Sequence, residues 1–142
     1  MAIRSRTNRF AHVVERIGLA TAGASCGLFV AAHLARVGVP ELASIGFVFA
    51  MMVAGAIGFY LGIDLPPRPE HVSVDGSVAE PDRVEMLSAI GTFLGPVAAL
   101  ISVGSIVLDL DPPLSWAVLI GACWLIGVLM QIVAGTIARL GR

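Results

Sequence analysis

Four long apolar stretches alternate with polar segments along the chain, and none of the four contains Asp, Glu, Lys or Arg. They cover residues 17–35, 43–63, 86–108 and 114–138. About 20 apolar residues in a helix cross the roughly 30 Å hydrocarbon core of a bilayer, so each stretch is long enough to span a membrane. The pattern predicts an all-α integral membrane bundle of four transmembrane helices. The short connections 36–42 and 109–113 favour two antiparallel hairpins.

Small residues recur at every fourth position of the second stretch, which predicts a shallow groove along one side of that helix. The positions are Gly46, Ala50, Ala54, Gly58 and Gly62. The first stretch carries a similar stripe at Gly23, Gly27 and Ala31. Helices in lipid associate by van der Waals contact, and small residues allow their backbones to approach closely. We therefore expect the first two helices to pack with these two stripes facing each other.

The third stretch has small residues in a different rhythm, with steps of three and four in alternation. They are Ser88, Gly91, Gly95, Ala98, Ser102 and Ser105. A heptad spacing of this kind predicts a packing seam with a left-handed crossing, in which Gly91 and Gly95 are helix-packing candidates. Pro96 interrupts the same helix. It removes the hydrogen bond to the Thr92 carbonyl, so we expect a bend there.

Composition agrees with a membrane protein, because 57% of the 142 residues are hydrophobic and only 13% are charged. All nine basic residues are arginine, and eight lie near the termini or between the second and third stretches, leaving only Arg36 in the two short turns. The positive-inside rule then predicts both termini on the cytoplasmic side, an N-in/C-in topology. We expect a bacterial inner membrane. Nucleic acid is not an expected partner, since no soluble element carries a basic patch.

The polar segments carry two further expectations. Residues 1–16 hold four arginines beside an apolar face, which indicates a short basic interfacial helix; a positively charged membrane flank is favoured over specific recognition of anionic lipid. The apolar run continues well past Cys26, which favours a retained span over a cleaved lipoprotein signal. Residues 64–85 form an acidic, proline-rich cytoplasmic loop, with a candidate tight turn at Asp75-Gly76 and a candidate helix cap at Asp82.

His33 is the ionisable side chain that lies deepest in any predicted span. An intramembrane histidine is by default a candidate haem or metal ligand or a proton carrier. A bis-histidine haem site needs a second ligand at the same depth, and the sequence supplies none. We therefore expect a structural histidine that bonds to a carbonyl or pairs with Glu41 or Asp109, and we expect no metal and no cofactor.

The function indicated by these residues is packing. No catalytic residues are expected, because no nucleophile stands near a base and the spans lack carboxylates. The leading hypothesis is a non-enzymatic membrane subunit, or an assembly or accessory protein, whose partners are the lipid bilayer and other membrane subunits or a second copy. The first alternative is a small oligomeric channel or transporter. Its polar path would be lined by Thr92, Pro96, Ser102, Ser105 and Gln131, although for Gln131 a hydrogen bond across helices is favoured over contact with a substrate. A further alternative is a haem-binding redox subunit that uses His33.

Overall fold

The computed structural model describes residues 2–62, 83–111 and 113–140, with side chains described from residue 11 onward. Its four α-helices are α1 (Ala2–Ala35), α2 (Ile45–Gly62), α3 (Arg83–Val107) and α4 (Leu114–Leu140), and these described residues contain no strand. All four helices are long and apolar enough to cross a membrane. The predicted all-α fold with four helices of membrane-spanning length is therefore confirmed. The expected turn at Asp75-Gly76 and cap at Asp82 lie outside the described residues.

The helix boundaries follow from local chemistry. α2 begins after Ser44, whose side-chain oxygen accepts a hydrogen bond from the Phe47 amide at 3.2 Å and so caps the helix. α3 ends in a Schellman motif: the Leu110 amide donates to the Ser105 carbonyl at 2.9 Å, and the Asp109 amide donates to the Ile106 carbonyl at 3.2 Å. Asp109 adopts the left-handed conformation that this motif requires, with φ of 49°.

α1 is one unbroken helix of 34 residues, which contains both the segment expected as a short basic interfacial helix and the first predicted span. At a rise of about 1.5 Å per residue it is roughly 51 Å long. That length exceeds the roughly 30 Å hydrocarbon core, so the helix extends beyond it. The described side chains from residue 11 to 18 are exposed, in agreement with a location outside the packed bundle. Helical hydrogen bonding simply continues across the change from polar to apolar sequence.

α1 packs most extensively against α2, and α3 against α4, while contacts of α2 with α4 and of α1 with α3 complete the bundle. Trp124 of α4 is fully buried in the core and is surrounded by apolar side chains from the other helices. The core cluster consists of Val30, Leu34, Ala98, Ala99, Ala117, Ile120, Trp124 and Val128. These side chains belong to α1, α3 and α4, so the cluster connects these three helices.

Most of the apolar surface faces outward. In the most apolar 18-residue segment of each helix, only 28% to 39% is buried inside the bundle. Large side chains such as Phe93, Leu100 and Leu119 are more than half exposed. Soluble monomers rarely expose contiguous apolar patches larger than a few hundred Å². The length of the helices and this outer surface together indicate a membrane protein.

Candidate functional site

α1 and α2 approach each other closely at two glycines of α1. A Cβ added to Gly23 would overlap the Gly55 carbonyl, and a Cβ added to Gly55 would overlap the Gly23 carbonyl. A Cβ on Gly27 would likewise overlap the Met51 carbonyl. Backbone therefore lies directly against backbone, and only glycine fits at these positions without a shift of the helices. Ala31, further along the same stripe, is fully buried.

The face of α2 that meets α1 is different from the one expected. Gly55 and Met51 contact α1, whereas a Cβ on Gly58 or Gly62 would meet Gln131 of α4. Four residues correspond to a rotation of about 400° around the helix axis, so residues four apart differ in direction by about 40°. A stripe with this spacing therefore winds around the helix and cannot face one neighbour along its whole length. The stripe consequently passes from the outer surface to the α4 side.

The remaining positions of that stripe follow the same drift. Ala54 is half-buried and packs against the core cluster, and Ala50 is exposed. Around Gly46, an added Cβ would have no described atom within 4 Å. The part of the stripe near the start of α2 therefore faces away from the other described residues.

The seam on α3 is buried at all of its positions: Ser88, Gly91, Gly95, Ala98, Ser102 and Ser105. A Cβ on Gly91 would lie 2.6 Å from the Gly127 carbonyl oxygen of α4, and a Cβ on Gly95 would lie 3.2 Å from the Phe59 ring of α2. Small residues on α3 therefore admit both the α4 backbone and an aromatic ring from α2.

A row of polar groups crosses the interior at the level of Gln131, which is fully buried. Its Nε2 donates to the Thr92 hydroxyl oxygen at 3.1 Å, and the Thr92 hydroxyl donates to the Ser88 carbonyl at 2.8 Å. The Ser88 hydroxyl in turn donates to the Gly62 carbonyl at 2.5 Å. These bonds join α4, α3 and the end of α2. The Gln131 Oε1 has no hydrogen-bond partner among the described residues.

Of the residues expected to line a polar path, Pro96 lies apart from the buried Ser102, Ser105 and Gln131. Thr92 and Gln131 contact each other, but Pro96 is exposed on the outer surface. The Ser102 hydroxyl donates to the Ala98 carbonyl at 2.8 Å, and the Ser105 hydroxyl donates to the Ile101 carbonyl at 2.9 Å. Both serines therefore bond to their own helix four residues back, as serine commonly does in helices.

His33 is 2% exposed, and its Nε2 has no hydrogen-bond partner among the described residues. Asp109, one of the acids expected beside it, pairs instead with Arg36 at 2.8 Å, while Asp111 lies 3.9 Å from the same guanidinium. His33, Arg36 and Asp111 border a cavity of about 20 Å³, close to the volume that one water molecule needs. Within the described part of the chain, no three His, Cys, Asp or Glu side chains come close enough together to hold a metal ion.

Two further arginines, Arg139 and Arg16, make contacts that were not expected from the sequence. Arg139 donates to the Leu61 and Gly135 carbonyls, both at 2.8 Å, which links the end of α4 to the end of α2. Gly135 makes this possible, since a Cβ there would overlap the Leu61 carbonyl. Arg16 of α1 lies over the Tyr60 ring of α2 at 5.6 Å from its centroid. The contact to Gly135 is the one that spacing could have indicated, because the two residues are four apart on one helix.

The buried hydroxyls of Ser88, Ser102 and Ser105 each donate to a backbone carbonyl, so their protons are used within the bundle. Of these bonds, only the one from Ser88 joins two helices, because Ser102 and Ser105 bond to carbonyls of α3 itself. No protein-family model, curated protein or solved structure matches this chain.

Proposed function

We propose that this chain is a non-enzymatic subunit of a membrane assembly, or an assembly or accessory protein, in a bacterial inner membrane. It packs against other membrane subunits or a second copy through small-residue helix faces. The observation that carries the proposal is the outward position of Gly46 and Ala50 on α2. Lipid chains do not require small residues, whereas another helix can approach closely only where side chains are small.

The state of the polar interior also favours packing over transport. The Gln131 Nε2 donates to the Thr92 hydroxyl, and the hydroxyls of Ser102 and Ser105 donate to carbonyls, so these donors have partners within the protein. A polar path would instead need side chains that point toward one shared cavity. An interhelical hydrogen bond such as the one from Gln131 to Thr92 stabilises a bundle modestly, by about 0.6 kcal/mol on average.

The proposed topology is two antiparallel hairpins, α1 with α2 and α3 with α4, with both termini cytoplasmic. The division of arginines supports it: eight belong to the segments assigned to the cytoplasmic side, and Arg36 alone belongs to the other side. The extensive contacts within each of these helix pairs also support it.

Oligomeric state in membranes tests the proposal. The full chain, labelled at its C-terminus, is reconstituted in liposomes at low protein density, and subunits are counted by stepwise photobleaching; gentle purification from native membranes identifies any second subunit. We expect an assembly that Ala50→Leu disrupts, because a larger side chain blocks close approach. The control is Ala122→Leu, which adds the same bulk at an exposed position of α4.

Three results would contradict the proposal. One is a wild-type chain that is monomeric in liposomes and has no partner in native membranes. Another is an equal effect of both leucine variants, which would point to general disturbance of the lipid-facing surface. The last is solute flux in proteoliposomes that Gln131→Met abolishes, which would identify the channel or transporter alternative.

A further inference from the structure

His33 lies in the last turn of α1, beside a small cavity at one end of the bundle. The residue is 2% exposed, and its Nε2 has no hydrogen-bond partner among the described residues. The cavity has a volume of about 20 Å³, and its other lining residues are Arg36, Val37, Leu110 and Asp111. A space of this size between polar groups is large enough for one water molecule. A buried ring nitrogen and two charged side chains therefore share one polar space.

The cavity borders a cluster of three charged side chains. The Arg36 Nη2 lies 2.8 Å from the Asp109 Oδ1 and 3.9 Å from the Asp111 Oδ1. With one positive and two negative charges, the cluster has a net charge of −1 while His33 is neutral. The four apolar stretches contain no Asp, Glu, Lys or Arg, and their other titratable side chains, which are neutral in acid, are those of Cys26, Tyr60 and Cys123. The counter-charge for a protonated His33 therefore has to come from this cluster.

Asp111 is the carboxylate best placed to respond to a charge on His33. Its side chain is fully exposed, and its 3.9 Å contact with Arg36 is long for an ion pair, whereas Asp109 is held at 2.8 Å. Glu41, the remaining charged residue of the two turns at this end, is exposed and does not border the cavity. Burial and the positive charge of Arg36 both oppose protonation of His33, so proton binding requires a carboxylate to approach.

We propose that His33 is a proton-binding site that responds to acid at this end of the bundle, with Asp111 as the counter-ion of the protonated ring. Histidine suits this role because its ordinary pKa lies in the range of about pH 5 to 8. Both nitrogens of a protonated ring are donors, so Nε2 can donate to the Asp111 carboxylate across the cavity. The only new covalent bond is the N–H bond to a proton taken from water, and Asp111 stays ionised.

The proton changes a contact between two turns. Arg36 directly follows α1, and Asp109 and Asp111 belong to the turn between α3 and α4, so their ion pairs connect these turns. In acid, Asp111 exchanges its distant contact with Arg36 for a bond to His33, while Asp109 keeps its own. In the proposed topology this end of the bundle lies opposite the cytoplasm, and the site would respond to acid there. The chemistry of the site depends neither on that orientation nor on the packing function.

An NMR titration of the full chain in detergent micelles tests the site. His12→Gln and His71→Gln leave His33 as the one histidine of the chain, and its ring resonances are followed from about pH 8 to pH 4 together with the Asp111 amide. We expect His33 to titrate in the folded protein and the Asp111 amide to shift with the same midpoint. Asp111→Asn should weaken the proton affinity of His33 about tenfold, and Asp111→Glu, which keeps the charge, should restore most of it.

Glu41→Gln is the matched control, because it removes an equal charge from an exposed turn residue that does not border the cavity. It should change the proton affinity of His33 much less than Asp111→Asn does. Circular dichroism over the same pH range establishes that each protein stays folded. A folded wild type whose His33 does not titrate, equal effects of Asp111→Asn and Glu41→Gln, or a wild type that unfolds before His33 binds a proton would each overturn the proposal.

Discussion

Gln131 of α4 donates a hydrogen bond to the Thr92 hydroxyl oxygen of α3, with 3.1 Å between the two heavy atoms. The side chain of Gln131 is fully buried, and its Oε1 has no hydrogen-bond partner among the described residues. Gly62 and Gly91 leave the space that this side chain fills, since a Cβ on either would meet its aliphatic carbons. Within the described part of the chain, the amide is thus bonded through its donor and not through its acceptor. This asymmetry determines the expected response of the two partners to substitution.

Thr92→Val should destabilise the bundle more than Gln131→Met. Valine leaves the buried amide donor without its partner, which costs about 1–2 kcal/mol. Methionine removes the donor and the unsatisfied oxygen together, so we expect a loss below about 1 kcal/mol. The free energy of unfolding is measured by titration with a denaturing detergent and followed by circular dichroism. A larger loss of unfolding free energy in Gln131→Met than in Thr92→Val would show that Oε1 has a hydrogen-bond partner that stabilises the bundle.

Gly23→Ala should separate α1 from α2. The added Cβ would overlap the Gly55 carbonyl, and backbone cannot move aside as a flexible side chain can, so we expect a loss of about 1–3 kcal/mol. Gly18→Ala, on the same helix, is the matched control, because its Cβ would have no described atom within 4 Å. That variant should be neutral or stabilising by up to about 1 kcal/mol through helix propensity. Equal unfolding free energies for the two variants would contradict the close contact.

Arg36→Met should cost less than about 1 kcal/mol, because its partner Asp109 is 91% exposed and such ion pairs are weak in water. Asp109 has a second role, since its φ of 49° lies in the left-handed region. Asn tolerates that conformation better than Ala does. We therefore expect Asp109→Ala to destabilise the protein more than Asp109→Asn, at both low and high salt. Identical unfolding curves for the two variants would argue against backbone strain at this turn.

His33→Gln should leave the assembly intact, because glutamine retains a donor and an acceptor in the buried position. Since no second histidine lies at this depth in the sequence, we expect no haem-like absorption band from the purified wild-type complex. Absorption spectra of wild type and variant, purified in parallel, provide the measurement. A band present in the wild type and absent from His33→Gln would favour the redox-subunit alternative.

A green fluorescent protein fused after Arg142 should fluoresce, because the C-terminus is expected in the cytoplasm, where this reporter folds. A chain truncated after Gly38, in the turn between α1 and α2, and fused there to the same reporter should not fluoresce. The turn is expected on the opposite side of the membrane, where the exported reporter does not fold. Alkaline phosphatase at the same two sites should give the opposite result. Phosphatase activity after Arg142 would reverse the proposed orientation.

The sequence alone determined that the chain has four helices of membrane-spanning length, because apolar runs of this length without charges are a local property and the bilayer fixes the length required. It also identified the α3 residues that are buried, since a heptad seam keeps one face toward neighbours along the whole helix.

Only the tertiary structure decided which side of α2 meets which neighbour. The every-fourth stripe from Gly46 to Gly62 is compatible with several neighbours, because it drifts around the helix, and the rotation of α2 is fixed by its simultaneous contacts with α1 and α4. The pairing of Arg36 with Asp109 and of Arg16 with Tyr60 was likewise decided there. These partners are 73 and 44 residues apart in the chain, and no local pattern relates them. Periodicity specifies the face of a helix, whereas the partner of that face depends on how all the helices pack together.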